Sequence, residues 1–201
     1  MMLKNISIFI VIVIFTGCSM KEPYITEYKM QIEDFSRSET SNLCSQKSLK
    51  VIQSFSNHTL ASTKMHYIVG EHKQFIFTKA QWSLPVNEMV TIHITNMMDQ
   101  LNNFRSVQNY KSITKDDYIL QSSIIDFQQY FSNDLASSYV KVTIKISLID
   151  NSSNKVLKSK TFTSTVDSKT LDSYGGVKAL NEAFINVLNE SSAWMSDVCS
   201  E

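Results

Sequence analysis

Glycine and proline are scarce in this chain, whose 201 residues include four glycines and two prolines. Glycine-rich loops that bind phosphates and long irregular regions are therefore not expected. Lysine plus arginine and aspartate plus glutamate both number 19, so no basic excess is available to hold nucleic acid or an anionic membrane surface. After residue 17, no stretch approaches the roughly 20 apolar residues that a membrane-spanning helix needs. We therefore expect a globular domain that binds no nucleic acid.

The first eighteen residues have the layout of a bacterial lipoprotein signal. Lys4 precedes an almost entirely apolar run over residues 6–15, and Thr16 and Gly17 then lead into Cys18. The run is too short to span a hydrocarbon core of about 30 Å, but it fits the apolar region of a secretory signal. Small residues before a cysteine suit a lipoprotein signal peptidase, and the cysteine thiol is then the point of acylation.

The sequence accordingly predicts a signal peptide over residues 1–17, lipidation of Cys18, a lipidated tether over residues 18–23 and one domain over residues 24–201. The alternatives are a signal anchor and a plainly cleaved signal, and in either of them Cys18 is incidental. The lipoprotein interpretation places the chain in a bacterial envelope, held by lipid rather than by a spanning helix.

Two further cysteines, Cys44 and Cys199, form an even pair once Cys18 carries lipid. An exported protein meets an oxidising compartment, so a disulfide between them is predicted. It would close a loop of about 155 residues and tie the C-terminal segment to the start of the domain. The alternative is two free thiols. Because no Cys-x-x-Cys motif is present, we assign the pair no catalytic role.

Residue periodicity predicts an α/β fold with a single domain, a mixed β-sheet and two main helices. The clearest strand is Ser138–Asp150, where apolar residues alternate with polar ones. Apolar residues at three- and four-residue spacing predict a helix after Pro85 and another that opens at Gly175. Further strands are predicted at residues 24–32, 49–55, 65–69, 74–78, 118–131 and 155–166, with a short one possible within 102–117.

Residues that could carry chemistry do not form a convincing set. The four histidines are scattered over loop, strand and helix. His66 and His72 could face each other across a hairpin, but no third metal ligand accompanies them. Asp126 lies inside a predicted strand, where an exposed or hydrogen-bonded carboxylate is favoured over a buried acid. No hydrolase, Walker or dinucleotide-binding motif occurs. We expect no enzyme, no metal and no cofactor; the histidines are His58, His66, His72 and His93.

Six aromatic residues allow two interpretations. They could line a groove for an acyl chain, or they could belong to the core or to a protein interface, which is the commoner role of aromatic side chains. We favour the core or interface; the residues are Trp82, Phe127, Tyr130, Phe131, Tyr139 and Trp194.

Several segments in a fixed order resemble the ABC-type transport auxiliary lipoproteins, the PqiC-like group. They are the signal ending at Cys18, Leu49-Lys-Val, Tyr67-Ile-Val, Gln81-Trp-Ser-Leu-Pro85, residues 120–131 with Ile125-Asp126-Phe127, Leu148-Ile-Asp150, Lys155-Val-Leu, Thr161-Phe162, Gly175-Gly-Val-Lys-Ala-Leu180 and Trp194. The resemblance implies a partner role beside MCE-type (mammalian-cell-entry) lipid transport systems. It also implies an anticodon-binding-like, three-layer α/β domain, lipid on Cys18 and no catalytic residues.

Together these features predict a non-enzymatic, periplasm-facing lipoprotein of an MCE/ABC-type intermembrane phospholipid transport system. Its expected partners are an MCE-family protein, ABC transporter subunits, the membrane through the lipid, and further copies of itself. Ser19, where an aspartate often marks inner-membrane retention, favours the outer membrane. The alternatives are an assembly chaperone of an LPS translocon or secretin, and an envelope hydrolase.

Replacing Cys18 by alanine is expected to abolish the incorporation of labelled palmitate and to block cleavage by the lipoprotein signal peptidase, because both steps need this thiol. Metabolic labelling and the mass of the product measure the two effects, and Ser19→Ala is a neighbouring control that should retain both. Unchanged labelling in Cys18→Ala would contradict the assignment.

Overall fold

A computed structural model describes residues 24–32 and 43–200 as eight strands and two helices. The predicted signal peptide, Cys18 and the tether lie outside these residues. The strands are β1 (Thr26–Tyr28), β2 (Ser48–Val51), β3 (Lys64–Val69), β4 (Lys73–Trp82), β5 (Ser106–Asn109), β6 (Tyr118–Phe131), β7 (Ser138–Asp150) and β8 (Lys155–Asp167), and the helices are α1 (Val86–Leu101) and α2 (Ser173–Val198).

All eight strands belong to one mixed sheet, which branches at β6. One edge of β6 pairs with β7 in antiparallel orientation along its whole length, and β7 pairs in turn with β8. The other edge of β6 takes two parallel partners, β2 beside its first residues and β3 beside its last. Beyond them, β5 pairs with β2, β4 with β3, and β1 with β4.

The apolar alternation of β7 determines which face of the sheet is buried. Val140, Val142, Ile144, Ile146 and Leu148 are at most 1% exposed and point toward the helices. The intervening residues point to the opposite face, which no helix of the described chain covers. We call this second surface the helix-free face.

A β-bulge in β6 changes which residues of that strand face the helices. The pairing with β7 shifts between Ile124 and Asp126, so that Ile125 is the extra residue and is 58% exposed. Residues of even number point to the helices before the bulge, and residues of odd number do so after it, because one inserted residue reverses the alternation. Phe127 is consequently buried, whereas Asp126 lies on the helix-free face.

Both helices pack on the same face of the sheet and contact each other. The ring of His93 in α1 meets the ring of Phe184 in α2 edge-on, with centroids 5.9 Å apart, and the Ser191 hydroxyl of α2 donates to the sulfur of Met97 in α1. The α/β class, the mixed sheet and the two helices are confirmed. The three-layer arrangement is not observed, because the two helices share one face and the described residues form two layers.

The ends of the helices depend on specific local contacts. Pro85 immediately precedes α1, and Asn102 ends it in the left-handed conformation with φ of 55°. The carboxylate of Asp172 accepts a hydrogen bond from the backbone N–H of Gly175 and caps α2. Because of this cap, α2 begins at Ser173, two residues before the predicted start at Gly175.

The second glycine of α2 allows the helix to approach β6 closely. A Cβ atom at Gly176 would lie 2.0 Å from Oε1 of Gln129, which is much closer than two heavy atoms can pack. A larger residue would force either the buried Gln129 side chain or the first turn of α2 to shift. Gly175 has a different role, because a Cβ atom there would lie 2.3 Å from the backbone carbonyl oxygen of Thr170 in the preceding turn.

The strand predicted over residues 24–32 is shorter in the structure. β1 ends at Tyr28 because the following residues leave the sheet and run to α2. There the side-chain amide of Asn181 accepts a hydrogen bond from the backbone N–H of Gln31 and donates one to its carbonyl oxygen, each at 2.9 Å. The prediction of strands at 118–131 and 138–150 is confirmed at the same bounds.

A disulfide joins Cys44, just before β2, to Cys199 at the C-terminal end of α2. Both cysteines are buried, and the backbone N–H of Leu43 donates to the carbonyl oxygen of Cys199 at 2.6 Å. The bond therefore holds the end of α2 against the start of the central sheet, as expected for a structural disulfide.

Replacing both Cys44 and Cys199 by serine is expected to lower the free energy of unfolding by about 4–5 kcal/mol in the loop-entropy account, because the bond spans 155 residues. Urea denaturation measures the loss. The wild-type protein under reducing conditions is the matched control and should unfold at the same urea concentration as the double variant. Coincident curves for oxidised wild type and double variant would contradict this role.

Candidate functional site

The predicted lipidation site lies outside the described residues, so lipidation of Cys18 stays a prediction. The described chain begins six positions later at Tyr24, whose side chain is 87% exposed. None of the described helices is both long and apolar enough to cross a membrane.

The histidines are not assembled into a site. His58 and His72 are exposed in separate turns, and His66 lies on β3 with Nδ1 2.9 Å from the side-chain amide of Gln74. His93 is packed against α2, and burial lowers its pKa. No group of three or more histidines, cysteines and carboxylates suited to a metal ion occurs among the described residues. His66 and His72 do not form a facing pair across the β3–β4 hairpin, because the side-chain partner of His66 is Gln74.

The six aromatic residues considered for a groove are divided between the two faces of the sheet. Trp82 and Phe127 are buried against each other at a centroid distance of 6.2 Å. Phe131 is buried with its ring edge-on to Tyr67, and Trp194 packs on the core. Tyr130 and Tyr139 lie on the helix-free face. A single acyl groove formed by all six is therefore not present, and the core interpretation holds for the buried members.

The helix-free face carries a linked group of side chains, which we call the Asp126 cluster. It consists of Asp126 and Tyr130 from β6 and of Tyr139 and Lys141 from β7. The Tyr130 hydroxyl donates to Oδ2 of Asp126 at 2.6 Å, and Nζ of Lys141 lies 3.8 Å from the same oxygen. The rings of Tyr130 and Tyr139 stack with centroids 5.2 Å apart.

The strand register brings these four residues together. Tyr130 pairs directly with Tyr139, and Asp126 lies two residues before Gln128, the partner of Lys141, so that it points to the same face of the sheet. Without the bulge at Ile125, the residues of β6 after that point would face the opposite way. Asp126 and both tyrosines can be identified in the sequence, but their contact cannot, because it depends on a register shift that no local sequence pattern indicates.

Partial burial controls the electrostatics of this cluster. The Asp126 side chain is 13% exposed, and burial raises its pKa above the ordinary range, although the hydrogen bond from Tyr130 and the charge of Lys141 act in the opposite direction. Burial and the neighbouring carboxylate raise the pKa of Tyr130 as well. At neutral pH the phenol therefore keeps its proton and acts as a hydrogen-bond donor.

The chemical groups of the Asp126 cluster are suited to hydrogen bonding and ring stacking. Its carboxylate is accompanied by a phenol and an ammonium group, and no second carboxylate or imidazole belongs to the cluster as described. Acid–base mechanisms that use two carboxylates, or a carboxylate with an imidazole, lack their second group here. The cluster offers an aromatic pair and hydrogen-bonding groups to a molecule that lies on the helix-free face.

Comparison with known proteins identifies the fold. No family model matches the sequence, and no curated protein matches it. The crystal structure of protein XCC0632 from Xanthomonas campestris, described with the family DUF330, gives a TM-score of 0.74 at 17% identity and covers 86% of this chain and 95% of that one. A structure of an uncharacterized protein gives 0.63 at 15% identity, covering 88% and 99%.

A weaker likeness exists to the PelC dodecamer from Paraburkholderia phytofirmans, with a TM-score of 0.39 at 16% identity over 74% of this chain and 94% of that one. This value is too low to bear on the present chain or its assembly. The chain therefore has the fold of the DUF330 protein. At these sequence identities the likeness gives no information about activity.

Asp126→Asn is expected to raise the free energy of unfolding at pH 7, because it removes a carboxylate that burial disfavours in its charged form while keeping an oxygen that can accept from Tyr130. Because the pKa of Asp126 is raised in the folded state, ionisation of its carboxylate lowers the free energy of unfolding as the pH rises from the unfolded-state pKa through the folded-state pKa. At lower pH the carboxyl group is protonated in both states, and this loss of stability disappears. The gain should therefore shrink as the pH falls toward about 4.

Urea denaturation at several pH values measures this gain. Tyr130→Phe is the matched control: it removes the hydroxyl that stabilises the carboxylate and should lower the stability at pH 7. A gain in Asp126→Asn that grew toward low pH would contradict the assignment.

Proposed function

We propose that this chain is a lipid-anchored, non-enzymatic, periplasm-facing component of an MCE-type intermembrane lipid transport system. The lipid on Cys18 provides affinity for a membrane, and the folded domain contacts an MCE-family protein and the ABC transporter subunits that act with it. The membrane is the outer one, and several copies of the chain associate in the assembly.

The observation that carries this proposal is the ordered series of motifs from Cys18 to Trp194 that resembles the PqiC-like auxiliary lipoproteins. The fold supports it, since an α/β domain with one branched sheet and two helices spans nearly the whole series. The likeness to the DUF330 protein extends over 95% of that chain, so the same fold accounts for nearly all of both domains.

Two surfaces suit contacts with other proteins. The helix-free face carries the Asp126 cluster, and β8 leaves its outer edge unpaired among the described strands. Its first half carries Lys155, Lys158 and Lys160, and lysines on an edge strand discourage unselective strand pairing.

The non-enzymatic role is supported by how the polar residues are distributed. The histidines are dispersed, and the carboxylate of the Asp126 cluster has a phenol and an ammonium as neighbours. The sequence offers no nucleophile motif near them. A binding role requires no such machinery.

Purification of the tagged, full-length lipoprotein from cross-linked and detergent-solubilised envelope is expected to recover an MCE-family protein, because the domain and not the lipid makes the specific contact. Mass spectrometry of the recovered proteins is the measurement. The matched control attaches residues 1–23 to an unrelated periplasmic domain, so that it carries the same signal and tether without residues 24–201.

Recovery of an MCE-family protein with the full chain and not with the control supports the proposal. Recovery of a β-barrel translocon or a secretin without any MCE-family protein would overturn it and would favour an assembly chaperone of another outer-membrane machine.

A further inference from the structure

The domain has two ends, and the chain from Cys18 can reach them to very different extents. The anchor-side end consists of the turns at residues 70–72, 132–137 and 168–172. These turns are neighbours: the backbone N–H of Gly70 donates to Phe131 and that of Ser168 to Ser138, both at 2.9 Å. The opposite end consists of residues 110–117, the turn at 151–154 and the disulfide.

The direction of β1 decides where the preceding residues lead. β4 starts at Lys73, beside the turn at 70–72, and runs away from the anchor-side end. β1 is parallel to β4, with Thr26 opposite Ala80. The chain therefore travels away from the anchor-side end as it passes through β1, and Tyr24 is the described residue of this segment that lies nearest to that end.

The length of the tether turns this direction into a constraint. Six peptide steps separate Cys18 from Tyr24, and they span at most about 20 Å when fully extended. Because Thr26 is level with Ala80 on β4, Tyr24, two residues earlier, lies about 16 Å from the level of Lys73 along the strand direction, at about 3.3 Å per residue. Since β6 is about 43 Å long by the same measure, the opposite end is about 27 Å from Tyr24 in the other direction. Cys18 can reach the anchor-side end but not the opposite end.

We propose that the anchor-side end lies against the surface of the bilayer that holds the lipid, and that its exposed apolar side chains enter the headgroup region. Leu135 is 53% exposed, Leu171 49% and Tyr174 51%, and they lie in the turns of this end or in the first turn of α2. This inference rests on the proposed lipidation of Cys18. Its occupant is the lipid surface itself rather than a protein.

The exposure of apolar side chains does not by itself distinguish the two ends of the domain. The opposite end also has exposed apolar side chains, since Ile113 is 102% exposed, Val156 60% and Leu157 45%. The tether distinguishes the two ends, because only the anchor-side end lies within reach of Cys18. Leu157 accordingly provides a control of similar size and exposure at the far end.

Charge does not drive the contact. The anchor-side turns and the residues beside them carry more carboxylates than lysines: Glu71, Asp134, Asp167 and Asp172 against Lys73 and Lys169. Hydrogen bonds from the Ser132 hydroxyl and the Ala136 backbone hold the pKa of Asp134 below its usual range, so this charge persists at neutral pH. The bilayer contact should therefore form on zwitterionic lipid and should not require anionic headgroups.

The test uses the full-length lipoprotein in phosphatidylcholine vesicles. Leu135→Cys, Leu171→Cys and Leu157→Cys variants are each labelled with an environment-sensitive fluorophore without reduction of the native disulfide. The emission of the label at positions 135 and 171 is expected to shift to shorter wavelength on vesicles and to be quenched several-fold more strongly by a headgroup-attached quencher than the label at 157.

Flotation of each variant with the vesicles separates this inference from the proposed function. If the protein floats and the label at 157 shifts while those at 135 and 171 do not, the orientation is wrong although the anchor is present. If it floats and no label shifts, the apolar contact does not exist, and the inference is again overturned. Failure to float would overturn the anchor, and with it both proposals, whereas recovery of an MCE-family protein is measured independently.

Discussion

The antiparallel pairing of β6 with β7 is the interaction on which the rest of the structure depends. It runs from Tyr118 opposite Asp150 to Phe131 opposite Ser138 and produces one continuous apolar face for both helices. It also leaves the other edge of β6 free along its whole length, so that two short parallel strands can share that edge. Separate parts of the chain are thereby gathered onto one long hairpin, which needs only a local turn to form.

The elements with strong local patterns could be predicted from the sequence, and those determined by distant contacts could not. The bounds of β7 follow from its alternation, and Pro85 marks the start of α1. The end of β1 depends instead on Asn181, which lies 150 positions away from its partner Gln31. The position of both helices on one face of the sheet likewise depends on packing. An amphipathic stripe shows which side of a helix is covered, but it does not show which face of the sheet covers it.

The same distinction applies to the candidate site. A hydrogen-bonded carboxylate could be expected at Asp126, because a charged group inside a strand is costly to bury without a partner. Its neighbours Tyr139 and Lys141 required the register of a partner strand, and that register depends on the bulge at Ile125. A bulge costs one unpaired residue but places a carboxylate and a tyrosine on the exposed face while Phe127 remains in the core. The polar surface and the continuity of the core therefore have one common cause.

The two ends of the domain are joined by rigid elements, which gives the tether its structural consequence. α2 begins at the anchor-side end, where Asp172 caps it, and ends at the disulfide. Its 26 residues extend about 39 Å. β6 and β7 cover nearly the same distance. If Cys18 holds the anchor-side end at a bilayer, the disulfide-linked end stands about 40 Å from it. A partner that meets the opposite end is then contacted well beyond the lipid headgroups, as the proposed role between two membranes requires.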